Sequence, residues 1–251
     1  MKNILLLLLS LFLSLSVNSQ VVVMTAVDLN EGEEEDYIKL ESFYSEIHKE
    51  AIAQGLRTGQ SVWKRTPKDT DEDSAAEYFI FDIHSSLEQL QAGINYEELA
   101  QKVYKGKMSR RAIQRMLNST QPWKERRSYT IQVVDATITA GGNVKPGDKA
   151  SINLMNKKTD DFENYETQVW KPVAEKNILS GNLRQWVLAK LISKTDNAYD
   201  GWTHFAWNLR GDNSVEGYSP SGFKWDKLWE GIESSRDMAD GTELTCVMVV
   251  Q

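Results

Sequence analysis

Two stretches of this chain carry the same order of elements, and that repetition constrains the fold more than any other feature. In the first, Tyr37, Leu40, Tyr44, Ile47 and Ala51 recur at helical spacing until Gly55, and strand-like runs follow at 61–63 and 77–83. In the second, residues 162–179 read as a helix ended near Gly181, and strands follow at 185–192 and 202–209. Setting Gly55 on Gly181 aligns Tyr44 with Trp170, Ile47 with Val173, Ile52 with Ile178, Lys64 with Lys190, Phe79 with Phe205 and Phe81 with Trp207 without a gap. Exact identities are few, so the repeat is one of residue class and element order.

The flanks complete each half. A β-branched run at 21–27 precedes the first helix, whose acidic start, Glu33 to Asp36, suits the positive end of the helix dipole. A polar helical stretch from 87 to about 117 and a strand at 129–134 follow the first pair of strands. The second half has a strand at 151–155, an amphipathic helix marked by Phe223, Trp225, Leu228, Trp229 and Ile232, and a strand at 244–250. Each half therefore reads β-α-β-β-α-β, the ferredoxin-like order. The expectation is an α+β chain of two tandem ferredoxin-like repeats, at 20–137 and 149–251, joined by a turn-rich linker at 138–148.

Residues 1–19 fall outside that scheme. One Lys, a Leu-rich run from Ile4 to Leu15 and small residues up to Ser19 have the layout of a secretory signal peptide cleaved before Gln20. The apolar run is shorter than the roughly 20 residues that span a bilayer, so the expectation is a secreted or periplasmic protein with no membrane contact after cleavage. A single Cys cannot form an internal disulfide, and Cys246 lies in a strand as an inert thiol. With 29 basic against 36 acidic residues and no dense Lys/Arg stripe, nucleic acid is excluded as a partner.

The stretch Tyr165-Glu166-Thr167-Gln168-Val169-Trp170-Lys171-Pro172, followed by Gly181 and Trp186, resembles uncharacterised exported bacterial members of the dimeric α/β-barrel superfamily. The resemblance implies two four-stranded sheets closing a barrel with helices outside. One chain would supply both halves, giving a monomer with an internal pseudo-dimer, or a homodimer. Members of that superfamily include cofactor-independent monooxygenases, haem-degrading and haem-binding proteins, isomerases and proteins without a known reaction.

Six of the eight Trp lie in the second half, which places the expected pocket there. Strand alternation puts Trp202, His204, Ala206 and Asn208 on one face. Tyr165, Trp170, Trp186, Trp202 and Asn208 are the expected ligand-binding residues, with His204 and Glu166 as polar or catalytic groups, although His204 also suits a plain hydrogen-bonded strand position. Pro172 interrupts the second helix, and a kink there would tilt Trp170 and Glu166 towards the sheet. His48 flanks the buried stripe of the first helix. No cofactor is expected. Haem ligation needs an axial donor, and the Asn, Trp and His pattern of haem-degrading members does not map onto these positions.

Metal-binding and nucleotide-binding motifs are missing from the sequence. The acidic run from Asp69 to Asp73 imitates a calcium loop, but Ser74 replaces its Gly and Ile80 its bidentate Glu. Asn118-Ser119-Thr120 is a chance-level glycosylation sequon. Three functions stay open: a binder of a small, largely apolar or aromatic molecule, a monooxygenase- or isomerase-like enzyme with His204 or Glu166 as base, and a partner-binding protein.

Overall fold

The computed structural model describes residues 20–251 except 72–74, 120 and 213. The leader at 1–19, the tip of the acidic hairpin at 72–74 and Thr120 of the sequon lie outside the described residues.

The first half runs β1 (Val21–Leu29), α1 (Glu34–Ala53), β2 (Gly59–Arg65), β3 (Tyr78–His84), three short helices α2 (Leu87–Ala92), α3 (Tyr96–Val103) and α4 (Arg110–Leu117), then β4 (Trp123–Ala136). The second half runs β5 (Lys149–Lys157), a helical segment α5, β6 (Leu183–Lys194), β7 (His204–Arg210), α6 (Phe223–Ser235), a short β8 (Arg236–Met238) and β9 (Thr242–Val250). Segment α5 combines an α-turn, Phe162–Asn164, a π-helical stretch, Tyr165–Trp170, and an α-helix, Lys171–Leu179.

Eight strands close a barrel in the order β7-β6-β4-β1-β3-β2-β9-β5 and back to β7, every pair antiparallel. The first-half strands stand in the order β4-β1-β3-β2 and the second-half strands in the order β9-β5-β7-β6. The two sets meet along β4–β6, where Ile131 faces Leu191, and along β2–β9, where Val62 faces Met248.

Burial on both faces explains the apolar strands. Met24, Ala26, Phe81, Ala189 and Phe205 point into the lumen, while Val27, Leu29, Val62 and Ile80 pack outwards beneath Tyr37 of α1. Trp207 fills the lumen between Trp63 and Phe81, at ring separations of 4.9 and 5.3 Å. Segment α5 covers the opposite outer face through Phe162 and Ala174. Between the halves, residues 137–148 form neither helix nor strand. Arg184 of β6 holds that connection by donating to the carbonyls of Ala140 (3.1 Å), Gly142 (2.9 Å) and Asn143 (3.1 Å), and it pairs with Asp148 at 2.6 Å.

Three expectations change. The polar stretch from 87 to 117 is three helices, because Gly93 and Gly106 adopt positive φ and Ser86, Asn95 and Ser109 each cap a new start. The expected kink at Pro172 takes the form of the π-helical stretch before it. Pro172 enters in the first turn of the following α-helix, where its missing N–H matters least. Trp202 and His204 do not share a face. Thr203 bonds Met155 and Leu191 through its backbone before β7 begins, so Trp202 packs inward against Tyr129 at 5.2 Å while His204 meets Phe162 outside at 4.8 Å. Cys246 is buried as expected, its thiol pushed up to about 12 by burial.

Candidate functional site

The residues expected to line a second-half pocket are mostly packing. Trp186 is 0% exposed between α5 and the sheet, beside Phe162 and Leu188. Glu166 is 1% exposed and paired with Arg236, the first residue of β8. His204 is buried, with Nδ1 3.0 Å from the Thr203 hydroxyl and Nε2 3.2 Å from the Glu163 carboxylate. Burial lowers its pKa. Trp170 joins Trp229 and Trp225 in a half-buried ring cluster. Tyr165 lies so close to Gly231 that a Cβ there would fall 2.5 Å from its ring. Asn208 donates to Asn153 at 3.2 Å. Only Trp202 borders one of the cavities described next. Large side chains fill a gap as readily as they line one, and composition does not separate the two uses.

A cavity of about 550 Å³ lies in the first half instead, between α1 and the outer face of the barrel. Helical spacing puts Glu41, Tyr44 and His48 on the face of α1 that borders it. Strand alternation brings Gln60 of β2 and Asp82 of β3 to the same space, Trp123 and Arg126 enter from β4, and Tyr96 of α3 borders the rim. Arg126 stacks over the Trp123 ring at 4.7 Å. Two further cavities lie in the lumen. One of about 390 Å³ is bordered by Arg65, Arg127, Tyr129 and Trp202, and one of about 200 Å³ by Trp63, Phe81 and Trp207.

Charge in the first-half cavity is tightly organised. Glu41 is 6% exposed, and burial raises its carboxyl to about 7 against the opposing pull of Arg126, with Asp82 adding to the rise. The Tyr37 hydroxyl is buried beside it and closes no hydrogen bond of normal geometry. Arg57, also buried, donates from one terminal nitrogen to Asp82 at 2.6 Å and His48 Nδ1 at 2.7 Å, and from the other to the Tyr96 hydroxyl at 3.0 Å. Burial raises the Asp82 carboxyl, opposed by Arg57 and Arg126. Burial and then the Arg57 charge push His48 down to about 3, so its imidazole is neutral at any physiological pH.

The histidines present no bare ring nitrogen to these cavities as an axial ligand for haem. Arg57 can only donate, so His48 Nδ1 accepts and its proton sits on Nε2, the nitrogen an axial ligand would need bare. Both nitrogens of His204 are engaged, and His84 borders none of these three cavities. Among the described residues no cluster of three or more His, Cys, Asp or Glu side chains is placed to hold a metal ion, and no helix is long and apolar enough to cross a membrane.

No family model matches the chain, and no curated protein matches it. Similarity to solved structures is one of fold. A provisionally assigned monooxygenase from Lactobacillus acidophilus NCFM superposes with a TM-score of 0.55 at 11% identity, over 93% of this chain and 96% of that one. A provisionally assigned monooxygenase from Fusobacterium nucleatum subsp. nucleatum gives 0.51 at 10% identity, over 92% and 94%. An anthrone oxidase-like protein gives 0.50 at 8% identity, over 93% of each chain. The fold is therefore an α+β closed antiparallel barrel similar to dimeric α/β-barrel folds, with the barrel closed within one chain.

Sequence reasoning missed Glu41, Arg57, Asp82 and Arg126. Glu41 did carry a signal, being a carboxylate on the same helical stripe as Leu40, Tyr44 and Ile47. Asp82 carried another, standing alone among the apolar residues of β3.

Proposed function

We propose that this chain is an enzyme of the monooxygenase or isomerase kind that needs no resident cofactor, with its site in the first-half cavity and Glu41 as the base. The observation that carries this reading is a buried carboxyl raised to about 7 on the wall of a 550 Å³ cavity, beside a guanidinium. At neutral pH Glu41 is partly ionised and can take a proton from a carbon conjugated to a carbonyl, directly or across an aromatic ring. The C–H bond breaks, the proton goes to the carboxylate, and the electron pair is delocalised onto the carbonyl oxygen as an enolate, whose negative charge the nearby Arg126 charge favours. Returning the proton to another carbon is isomerisation; in oxygenation the enolate carbon bonds to dioxygen, the oxidant, the resulting peroxide takes the proton back from Glu41, and the hydroperoxide loses water as its O–O bond breaks and the carbon becomes a carbonyl. Trp123, Tyr44 and Tyr96 suit a flat aromatic substrate.

The arrangement of the second half supports the choice of the first. We read the chain as two tandem ferredoxin-like repeats, in keeping with the matched strand orders β4-β1-β3-β2 and β9-β5-β7-β6. When one extra residue is allowed for the π-helical stretch, Glu41 falls on Glu166 and Tyr37 on Phe162, while Gln60 falls on Trp186 and Asp82 on Asn208. The same place that opens on a cavity at Glu41 is filled at Glu166 by Arg236 and Trp186. We further propose export guided by the leader, and a small-molecule substrate as the chain's chief partner.

Anthrone, an enolisable ring ketone, is a suitable probe. The protein is expected to speed deuterium exchange at its methylene carbon in heavy water, with Glu41→Gln slower by about 100-fold or more. Equal exchange rates in the two proteins, or no acceleration of anthrone and its hydroxylated derivatives by the parent protein, would overturn the assignment.

A further inference from the structure

The hydrogen bonds behind the cavity wall define what the far end of the cavity recognises. His48 follows Glu41 by two helical turns on the same face of α1, which separates the two side chains by roughly 10 Å along the axis. Its Nδ1 is occupied by Arg57 at 2.7 Å. Arg57 is itself held in place by Asp82 at 2.6 Å and by the Tyr96 hydroxyl at 3.0 Å. A guanidinium has no lone pair to offer, so the contact fixes His48 Nδ1 as the acceptor. The neutral ring then carries its only proton on Nε2, on the edge facing away from Arg57.

We infer that Arg57 locks His48 as an Nε2–H donor to the cavity, so the site selects ligands that present an acceptor oxygen there, such as a ring carbonyl or a phenolate. An ammonium group at that position meets another donor and is rejected, because a buried donor facing a donor leaves both unpaired. The separation from Glu41 adds a length requirement. Two polar contacts of about 3 Å leave a gap that one ring bridges when its oxygen and its acidic carbon lie on opposite sides. This assignment of ligand chemistry rests on the reading of Glu41 as the base, whereas the imidazole tautomer does not depend on it.

Nitrogen-15 NMR of the histidine rings reads the tautomer directly. In the full-length mature protein the His48 signals are expected to show a bare Nδ1 and a protonated Nε2 across pH 5 to 8. Arg57→Met should release that preference, and Glu41→Gln should leave it intact. A ring protonated on Nδ1, or on both nitrogens, would refute the lock even if Glu41→Gln abolishes exchange on anthrone. The ligand claim is read with fluorenone and fluorene, which match in size and differ by one carbonyl. Fluorenone is expected to bind at least tenfold more tightly, with the ratio collapsing in His48→Phe and persisting in Glu41→Gln. Equal affinities, no binding of fluorenone, or an unchanged ratio in His48→Phe would overturn it. Equal exchange rates on anthrone in the parent protein and Glu41→Gln, with the tautomer and ratio intact, separate a failure at Glu41 from a failure at His48.

Discussion

Replacing Glu41 by glutamine removes one ionisation from the protein and leaves nearly the same shape behind. A carboxyl ordinarily titrates near 4.5, and burial holds this one at about 7 in the folded state. Above pH 4.5 the unfolded chain ionises at this position while the folded protein keeps its proton, so the parent protein loses stability as pH rises from 4.5 through 7. Over that interval of about 2.5 pKa units, the loss approaches about 3 kcal/mol by pH 8, of which under about 1 kcal/mol is already present at pH 5. Glutamine has no such titration. Urea denaturation of parent and Glu41→Gln at pH 5 and pH 8 is expected to show the gap between them widening by about 2 to 3 kcal/mol in favour of the variant, or roughly 5 to 10 °C in Tm. His48 titrates in both proteins and cancels in the comparison. A gap constant within about 0.5 kcal/mol would show that Glu41 is not held in a charge-averse site, and the case for it as the base would fall with it.

Arg236→Met should destabilise the fold by about 3 to 5 kcal/mol, because it leaves Glu166 buried without its partner. Adding Glu166→Gln should recover most of that loss, and a double variant no more stable than Arg236→Met would show that the pair is not coupled. Export followed by cleavage before Gln20 predicts a mature chain whose intact mass matches residues 20–251; a product retaining residues 1–19 would refute it.

Much of the fold was legible in the sequence because its signals are local. The stripe Tyr37, Leu40, Ile47 and Ala51 is buried along α1, Tyr37 against the barrel and Ile47 and Ala51 against α3 and α4, and the aligned pair Phe81 and Trp207 meets in the lumen. The break of the 87–117 stretch was less legible, since polar residues carry a helical pattern across Gly93 and Gly106 at little apparent penalty. The site was the least legible part. Trp170, Trp186 and His204 drew attention as large or titratable residues near one another in a repeat, yet Trp186 and His204 are buried beneath α5, and Trp170, on α5 itself, meets the Trp229 ring. The pairing of Arg57 with His48, Asp82 and Tyr96 draws on three separate elements, and no spacing rule within one element points to it.

Closure of the barrel inside one polypeptide has a consequence for assembly. In a barrel made from two copies both seams come apart on dilution, and every substitution appears twice. Here the β4–β6 and β2–β9 seams are intramolecular, tethered through the connection that Arg184 holds to β6, so their closure is independent of protein concentration. It also frees each side to change alone. On the proposed repeat, Gln60 borders an open cavity where Trp186 fills the matching place, an asymmetry that a barrel of two identical chains has no means to encode.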